Sequence, residues 1–398
     1  MAAKFSKRLG KNRVIVVEPA DVHYYQPMFT LVGGGLKKLQ ECSRPMSEVL
    51  PDLAHWIKDK VVEFDPSASQ VRTKRGDIIN YDFMIVATGL ELNYEQIPGL
   101  VEGLELRDSG VCSNYSPRYT DLTYKYLQSF QKGNIVFTFP KPPVKCPGAP
   151  QKIVYLAEDY LQKNGKRQYA NLIYNSALPV LFGVKKYADS LWKVVERRNI
   201  EVNLKRNLLE VRPHKKEAIF EDLDEPGKTY ETKYSVLHVT PPQSTGEALK
   251  NNADLTDAGG FLELDKATLR HVRFSNIYGI GDCTNLPTSK TAAAVAAQCG
   301  ILRCNLGAAL SGETVGMAMY DGYTSCPLVT GNNKCILAEF DYNLQPLETF
   351  PMNQGVESTL MYTLKAHVMP EIYWRAMLNG FWEGPSLCRK ALHLGMGQ

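Results

Sequence analysis

A two-domain α/β fold of the nucleotide-binding kind, closed by an amphipathic helical C-terminus, is what this sequence predicts. Three observations carry that reading. Short β-branched runs end in Glu18, in Gly89 and in Asp282, as parallel strands do where their carboxyl ends meet a cofactor. A second alternation of strands and helices lies between the last two runs. From Met369 onward apolar residues recur at helical spacing.

Composition agrees. The chain has 398 residues, more than one domain's worth, and 44% of them are hydrophobic, which excludes a disordered or fibrous protein. Forty-six Lys and Arg against 42 Asp and Glu leave +4, too even a balance to argue for a nucleic-acid partner. No uninterrupted apolar run reaches the ~18 residues of a membrane span. Nine cysteines are an odd number, with no CxxC, and neither they nor the seven His cluster at zinc-ligand spacing. Most therefore read as buried thiols in a reducing compartment.

The first strong element is Arg13-Val14-Ile15-Val16-Val17-Glu18-Pro19, expected as a buried parallel strand. An acid at the end of the second strand of a Rossmann unit binds the adenosine ribose about 20 residues beyond a Gly-rich turn. Only seventeen residues precede Glu18: a basic helical stretch from Met1 to Leu9 and a Gly10-Lys11-Asn12 turn, with no strand and no GxGxxG. The expectation is that Met1 lies inside the first helix of a dinucleotide fold, whose first strand and phosphate loop are absent from this chain. The basic residues then read as the solvated face of that helix, in preference to a targeting signal. Tyr81 to Gly89 is a second strand, closing on Ala87-Thr88-Gly89, where small residues admit a cofactor. Asn276 to Asp282 is a third, followed by an Ala-rich helix from Thr291 to Leu302. Asp282 ahead of that helix suits a flavin ribityl chain, with the helix end facing its phosphate.

Between these pieces, strands at Gly133–Pro140, Ala170–Asn175 and Ser235–Val239 alternate with helices at Gln151–Leu161 and Tyr187–Arg197. That is an NAD-binding layout with the wrong turn. In place of GxGxxG stands Pro140-Lys141-Pro142-Pro143-Val144-Lys145-Cys146-Pro147-Gly148-Ala149-Pro150, whose prolines lack the N–H groups that cradle a pyrophosphate. The second strand ends in Asn175 instead of an acid. This unit is therefore expected not to take NAD(H). Cys146, beside Lys145 and ahead of a helix, sits where a thiolate is favoured, against the plainer reading of a buried loop cysteine. Cys326, in an expected Cys-Pro turn, is the second candidate. Cys299 and Cys304 form a rival pair, but five residues apart on a helix they point roughly 140° from each other.

Tyr24-Tyr25-Gln26-Pro27, Val144-Lys145-Cys146 with Gly148 to Lys152, Gly281 to Pro287 with Lys290, and Tyr323 to Gly331 together resemble sulfide:quinone oxidoreductase of the mitochondrial type. The resemblance runs the length of the chain. It implies paired Rossmann-like domains of the glutathione-reductase type, bound FAD and a membrane-contacting C-terminus. It implies oxidation of hydrogen sulfide, electrons to ubiquinone and sulfane sulfur to glutathione or sulfite, at the mitochondrial inner membrane. Carried over residue by residue, Cys146 and Cys326 match the redox pair, with the persulfide favoured on Cys326. Glu18 matches the ribose acid, and Gln26, Val61, Lys152, Asp282 and Lys290 match positions lining FAD. The implied domains are 1–92 and 269–330 for FAD, 93–268 for the second unit and 331–398 for the quinone and membrane region.

The C-terminal stripe comprises Met369, Ile372, Tyr373, Ala376, Met377, Gly380 and Phe381, flanked by Trp374 and Trp382 and followed by a basic stretch, Leu387 to Leu394. It suits a helix lying in a headgroup layer. The nearest alternative function is a type II NADH:quinone oxidoreductase, opposed by the Pro-rich loop. A cofactor-deficient binding protein and a glutathione-reductase-like disulfide reductase follow.

Overall fold

The computed structural model describes residues 1–313 and 317–394. Its best-formed layer is a five-stranded, wholly parallel sheet in the order Val111–Cys112, Val236–His238, Gly133–Phe139, Ala170–Ser176, Glu201–Leu204. The strand sequences are near-continuously apolar because both faces are covered, one by helices Ala149–Lys163 and Lys185–Arg197 and the other by strands Arg206–Arg212 and Glu217–Asp222. Ile135, Leu172 and Leu237 are fully buried. Helices Ala149–Lys163 and Lys185–Arg197 follow the third and fourth strands of that order, as the βαβ alternation requires. Helix Ala149–Lys163 buries Ile153, Val154, Tyr155, Leu156 and Leu161 on several sides, since the sheet lies under it and the hairpin Thr324–Gly331/Lys334–Phe340 lies over it.

The first nucleotide-type unit is drawn from both ends of the chain. Ile15–Val17 pairs in parallel with His55–Ile57, and Met84–Val86 pairs in parallel with Ile277–Gly279. These are two separate ladders. Val86 and the whole of Ile277–Gly279 are buried, in strands shorter than the expected Tyr81–Gly89 and Asn276–Asp282. Ile15–Val17 is not: Ile15 is 44% exposed, and the expected buried strand is a half-covered one, because among the described residues no third strand pairs with its outer edge. Two antiparallel meanders, Val61–Asp65/Gln70–Thr73/Ile78–Asn80 and Arg206–Arg212/Glu217–Asp222/Thr229–Lys233, complete the units.

Helix Ala292–Leu310 runs eight residues past its expected end. It is long and apolar enough by composition to cross a membrane, yet it is built into the fold. Gln298 accepts from Gly281 N at 2.8 Å, and Asn305 donates to the carbonyls of Thr268 and Ala318 at 2.9 Å each. The Met1–Leu9 region is helical over Ala2–Leu9, but its basic face is not merely solvated. Lys4 pairs with Glu383 at 3.2 Å, and Arg8 donates to Gly307 O at 3.0 Å and Ser311 Oγ at 2.6 Å.

The C-terminal helical run extends from Thr359 to Met377 through two π-type turns, with a second helix at Ser386–Leu392. Part of the expected outward stripe faces inward. Tyr373 lies 4.5 Å, centroid to centroid, from Tyr25 and stacks on His23, while Arg44 sits over Trp374. Aromatic rings of this size bury more favourably against other rings than against water.

Candidate active site

Cys146 and Cys326 come from elements 180 residues apart and converge. Cys146 lies in the loop between Gly133–Phe139 and Ala149–Lys163, with φ 48°, the left-handed region that a cysteine adopts only under constraint. The constraint is visible: Cys146 N donates to Lys290 O at 2.7 Å, and Lys145 N donates to Gln243 Oε1 at 3.0 Å. The loop's amides are thus consumed within the protein, where a nucleotide loop would present them to phosphate. Asn175, at the end of the next strand, is buried and accepts from Asn203 Nδ2 at 3.0 Å, so no acid awaits a ribose there.

Cys326 is not in a turn, as the Cys-Pro dipeptide led us to expect. It lies inside the strand Thr324–Gly331, opposite Ala338, with Pro327 opposite Leu337. A two-stranded hairpin leaves one edge without ladder partners, and a proline is tolerated there. The strand packs on helix Ala149–Lys163 so closely that a Cβ on Gly148 would stand 2.5 Å from the Cys326 sulfur. Cys326 is 2% exposed, whereas Cys146 is half-buried.

The two thiols lie close enough for the Cys326 S–H to donate to the Cys146 sulfur. That bond, reinforced by the ammonium groups of Lys152 and Lys365, holds the Cys146 thiol well below its ordinary range against the opposing effect of burial. The same bond and burial push Cys326 well above it. The pair is thus biased in opposite directions, Cys146 toward thiolate and Cys326 toward thiol. Lys152 Nζ stands 3.4 Å from the Cys146 sulfur in the first turns of helix Ala149–Lys163, whose N-terminus adds positive potential. Burial works against charge on Lys152, but Cys146 and Cys326 outweigh it and keep the ammonium protonated above its usual range.

Three other expected residues surround this pair. Gln26 Oε1 accepts from Lys145 Nζ at 2.7 Å. Lys290 donates to Thr284 O at 2.8 Å and lies over the Phe261 ring. Burial raises the Asp282 carboxyl, and Lys290 and Lys145 partly counter it. A small cleft lined by Gly281, Asp282, Thr288, Lys290, Thr291 and Gln298 opens at the N-terminus of helix Ala292–Leu310, which Thr291 caps by accepting from Ala294 N at 3.1 Å. Asp282 therefore offers acceptor oxygens beside a helix N-terminus with cations on both sides, a donor set that fits a flavin's hydroxylated chain. Glu18 and Val61 stand apart from the sulfur pair. Glu18 accepts from Ala20 N at 2.8 Å at the end of Ile15–Val17, and Val61 opens the strand that pairs with Gln70–Thr73. Cys299 is half-buried and Cys304 exposed, both free, on helix Ala292–Leu310.

Sequence reasoning missed Lys365. It is 1% exposed inside the C-terminal helical run and donates to Pro27 O at 2.7 Å. Burial, then repulsion from Lys152, brings its ammonium down to about 8. A lone lysine in the apolar stretch Met361 to Met369 was the available signal.

No family model matches the chain. Curated relatives do. The mitochondrial sulfide:quinone oxidoreductase of Mus musculus is 51% identical over 396 residues, covering 100% of this chain and 87% of the mouse protein. That of Dictyostelium discoideum is 42% identical over 379 residues, covering 94% and 82%. Among solved structures, the sulfide:quinone oxidoreductase of Aquifex aeolicus superposes with a TM-score of 0.79 at 18% identity, over 99% of this chain and 92% of that one, a likeness of fold.

Proposed function

Since the chain belongs to the mitochondrial sulfide:quinone oxidoreductase family, we propose that Cys146 and Cys326 form the sulfur centre of a hydrogen sulfide oxidation that delivers two electrons to ubiquinone. The observation that carries this reading is the convergence of Cys146 and Cys326 at the start of helix Ala149–Lys163, where Lys152 Nζ stands 3.4 Å from the Cys146 sulfur and the Cys326 sulfur lies against Gly148.

From the disulfide of this pair, hydrosulfide attacks Cys326 Sγ and the S–S bond breaks. The new bond leaves a persulfide on Cys326 and expels Cys146 as thiolate. Exchange is faster when the departing thiol is the more acidic one, and here that is Cys146. Lys152 and Lys365 hold its charge. A sulfur nucleophile, glutathione thiolate or sulfite, then takes the outer sulfur and leaves Cys326 as thiolate. Closing the disulfide again releases two electrons. Bound FAD would supply the two-electron acceptor and pass the pair to ubiquinone. Asp282, Lys290, Gln26 and Lys152 would line it on the sulfur side and Glu18 and Val61 at the far end. The division into 1–92 with 269–330, 93–268 and 331–398 belongs to the same proposal.

The C-terminus supports attachment to the surface of the mitochondrial inner membrane without crossing it. Phe381, Leu387 and Leu394 are 74%, 78% and 82% exposed, and Lys7 lies over the Phe381 ring. Exposed apolar side chains among cations suit the headgroup boundary, where a lipid-soluble quinone enters. The NADH-dependent reading is disfavoured by the consumed loop amides and by Asn175. Purified protein tests both: sulfide should bleach a flavin absorbance that NADH leaves unchanged, and bleaching by NADH alone would overturn the assignment.

A further inference from the structure

We infer that Glu339 is a positioning residue for the sulfur pair: its buried carboxylate fixes the strand that carries Cys326. Glu339 is 3% exposed and lies opposite Ser325, one register step from the Cys326–Ala338 pair. Each oxygen accepts two bonds, all from neutral donors. Oε1 takes the Tyr323 hydroxyl at 2.5 Å and the Thr349 hydroxyl at 2.8 Å. Oε2 takes Thr349 N and Gln354 Nε2, both at 2.7 Å. The same Gln354 amide donates to Leu337 O at 3.0 Å.

One carboxylate thus ties the approach to the Cys326 strand (Tyr323), its partner strand (Glu339) and the following strap (Thr349, Gln354). Its backbone is tied as well. Glu339 N donates to the Tyr187 hydroxyl at 3.2 Å, joining the hairpin to helix Lys185–Arg197. A buried carboxyl group persists only when its lone pairs are satisfied, and here all four bonds come from segments that set where Cys326 stands. A disulfide tolerates little error in the separation and direction of its two Cβ atoms. Glu339 touches neither sulfur; it acts through the strand.

The step it governs is closure of the pair. With glutathione disulfide as oxidant, the Cys146 thiolate forms a mixed disulfide and releases one glutathione thiolate, which takes the Cys326 proton. The Cys326 thiolate then displaces the second glutathione, so two electrons leave the pair and two glutathiones are formed. The flavin-loaded protein is equilibrated in glutathione redox buffers, acid-quenched, alkylated and read by mass spectrometry at Cys146 and Cys326. In Glu339→Gln the amide nitrogen faces the Tyr323 and Thr349 hydroxyls, which must give up their bonds to Glu339 and reverse to accept, and the closure constant should fall by about tenfold, or about 30 mV. Tyr323→Phe removes one bond only and should lower it by about threefold. Glu210→Gln, which alters a carboxylate bonded to Arg212 in the second meander, should leave it unchanged.

A merely structural role would lower the melting temperature and leave closure in the folded protein at the wild-type value; that result overturns the inference. If Glu339→Gln does not accumulate folded, Tyr323→Phe decides on the same criterion. The inference rests on the pairing of Cys146 with Cys326. Wild-type protein that forms no such disulfide in any buffer sinks the pairing itself, whereas variants closing like wild type sink only the role of Glu339.

Discussion

Lys152 sets its ammonium 3.4 Å from the sulfur of Cys146, six residues back along the chain and across the start of a helix. The pairing is local in sequence and made possible by the left-handed backbone at Cys146, which turns the thiol back over the first turn of Ala149–Lys163. Charge and helix end together favour thiolate there. Replacing Lys152 by Met removes the charge and keeps the length. Iodoacetamide should then modify Cys146 about tenfold more slowly at neutral pH, with the pH profile displaced upward. An unchanged profile would show that Lys152 does not hold the thiolate.

Gly148 is a steric requirement, not a conformational one. An added Cβ would meet the Cys326 sulfur at 2.5 Å and Leu328 Cδ2 at 2.8 Å. Gly148→Ala should cost about 1–3 kcal/mol of stability by overpacking and should also slow sulfide-dependent turnover by pushing the two sulfurs apart. Thermal unfolding and steady-state rates measure the two effects, and a variant with both at wild-type values would contradict this packing.

Lys365 gives a pH dependence with a definite sign. Its ammonium is brought down to about 8 from an ordinary 10.5, so between those values the unfolded chain binds the proton that the folded chain has released. Stability contributed at this site therefore rises with pH through that window, and the cost of burying the charge is present in full below it. Denaturant unfolding across that range should show a positive slope in wild type that is smaller in Lys365→Met. Parallel curves for the two proteins would remove Lys365 from the account.

Membrane attachment is best tested without deleting the C-terminus, since Met361, Tyr362, Lys365 and Ala366 are buried in the core. Phe381→Asp combined with Leu387→Asp changes exposed side chains alone. Flotation with anionic vesicles should weaken by more than about tenfold, because each side chain withdrawn from the bilayer forfeits roughly 1.5–3 kcal/mol. Undiminished flotation would place the contact elsewhere.

Much of this was legible in the sequence because it is local. The alternation of Gly133–Phe139, Ala149–Lys163 and Ala170–Ser176 follows from apolar runs and a proline in the helix's first turn. Cys146 could be singled out from its neighbours in a loop that lacks phosphate-binding glycines. What was not legible depends on partners far along the chain. Pro327 read as a turn because its strand's free edge is a tertiary fact. Ile15–Val17 read as buried because its pattern is apolar, while burial depends on which strand lies beside it. Lys365 and Glu339 look like ordinary helix and strand charges until Pro27, Tyr323, Thr349 and Gln354 are brought against them. Tyr373 and Trp374 belong to the same class: helical spacing placed them on one stripe but could not tell lipid from Tyr25 and His23.

The central claim is that Cys326 receives the sulfur and Cys146 is the thiolate set free. The most direct measurement mixes the oxidised protein with a single equivalent of sulfide, quenches before a sulfur acceptor is added, alkylates, and reads both cysteine peptides by mass spectrometry. Sulfur transfer to Cys326 gives one additional sulfur on that residue and an alkylated thiol without extra sulfur at Cys146. An additional sulfur on Cys146, or on a cysteine outside the pair, would contradict it.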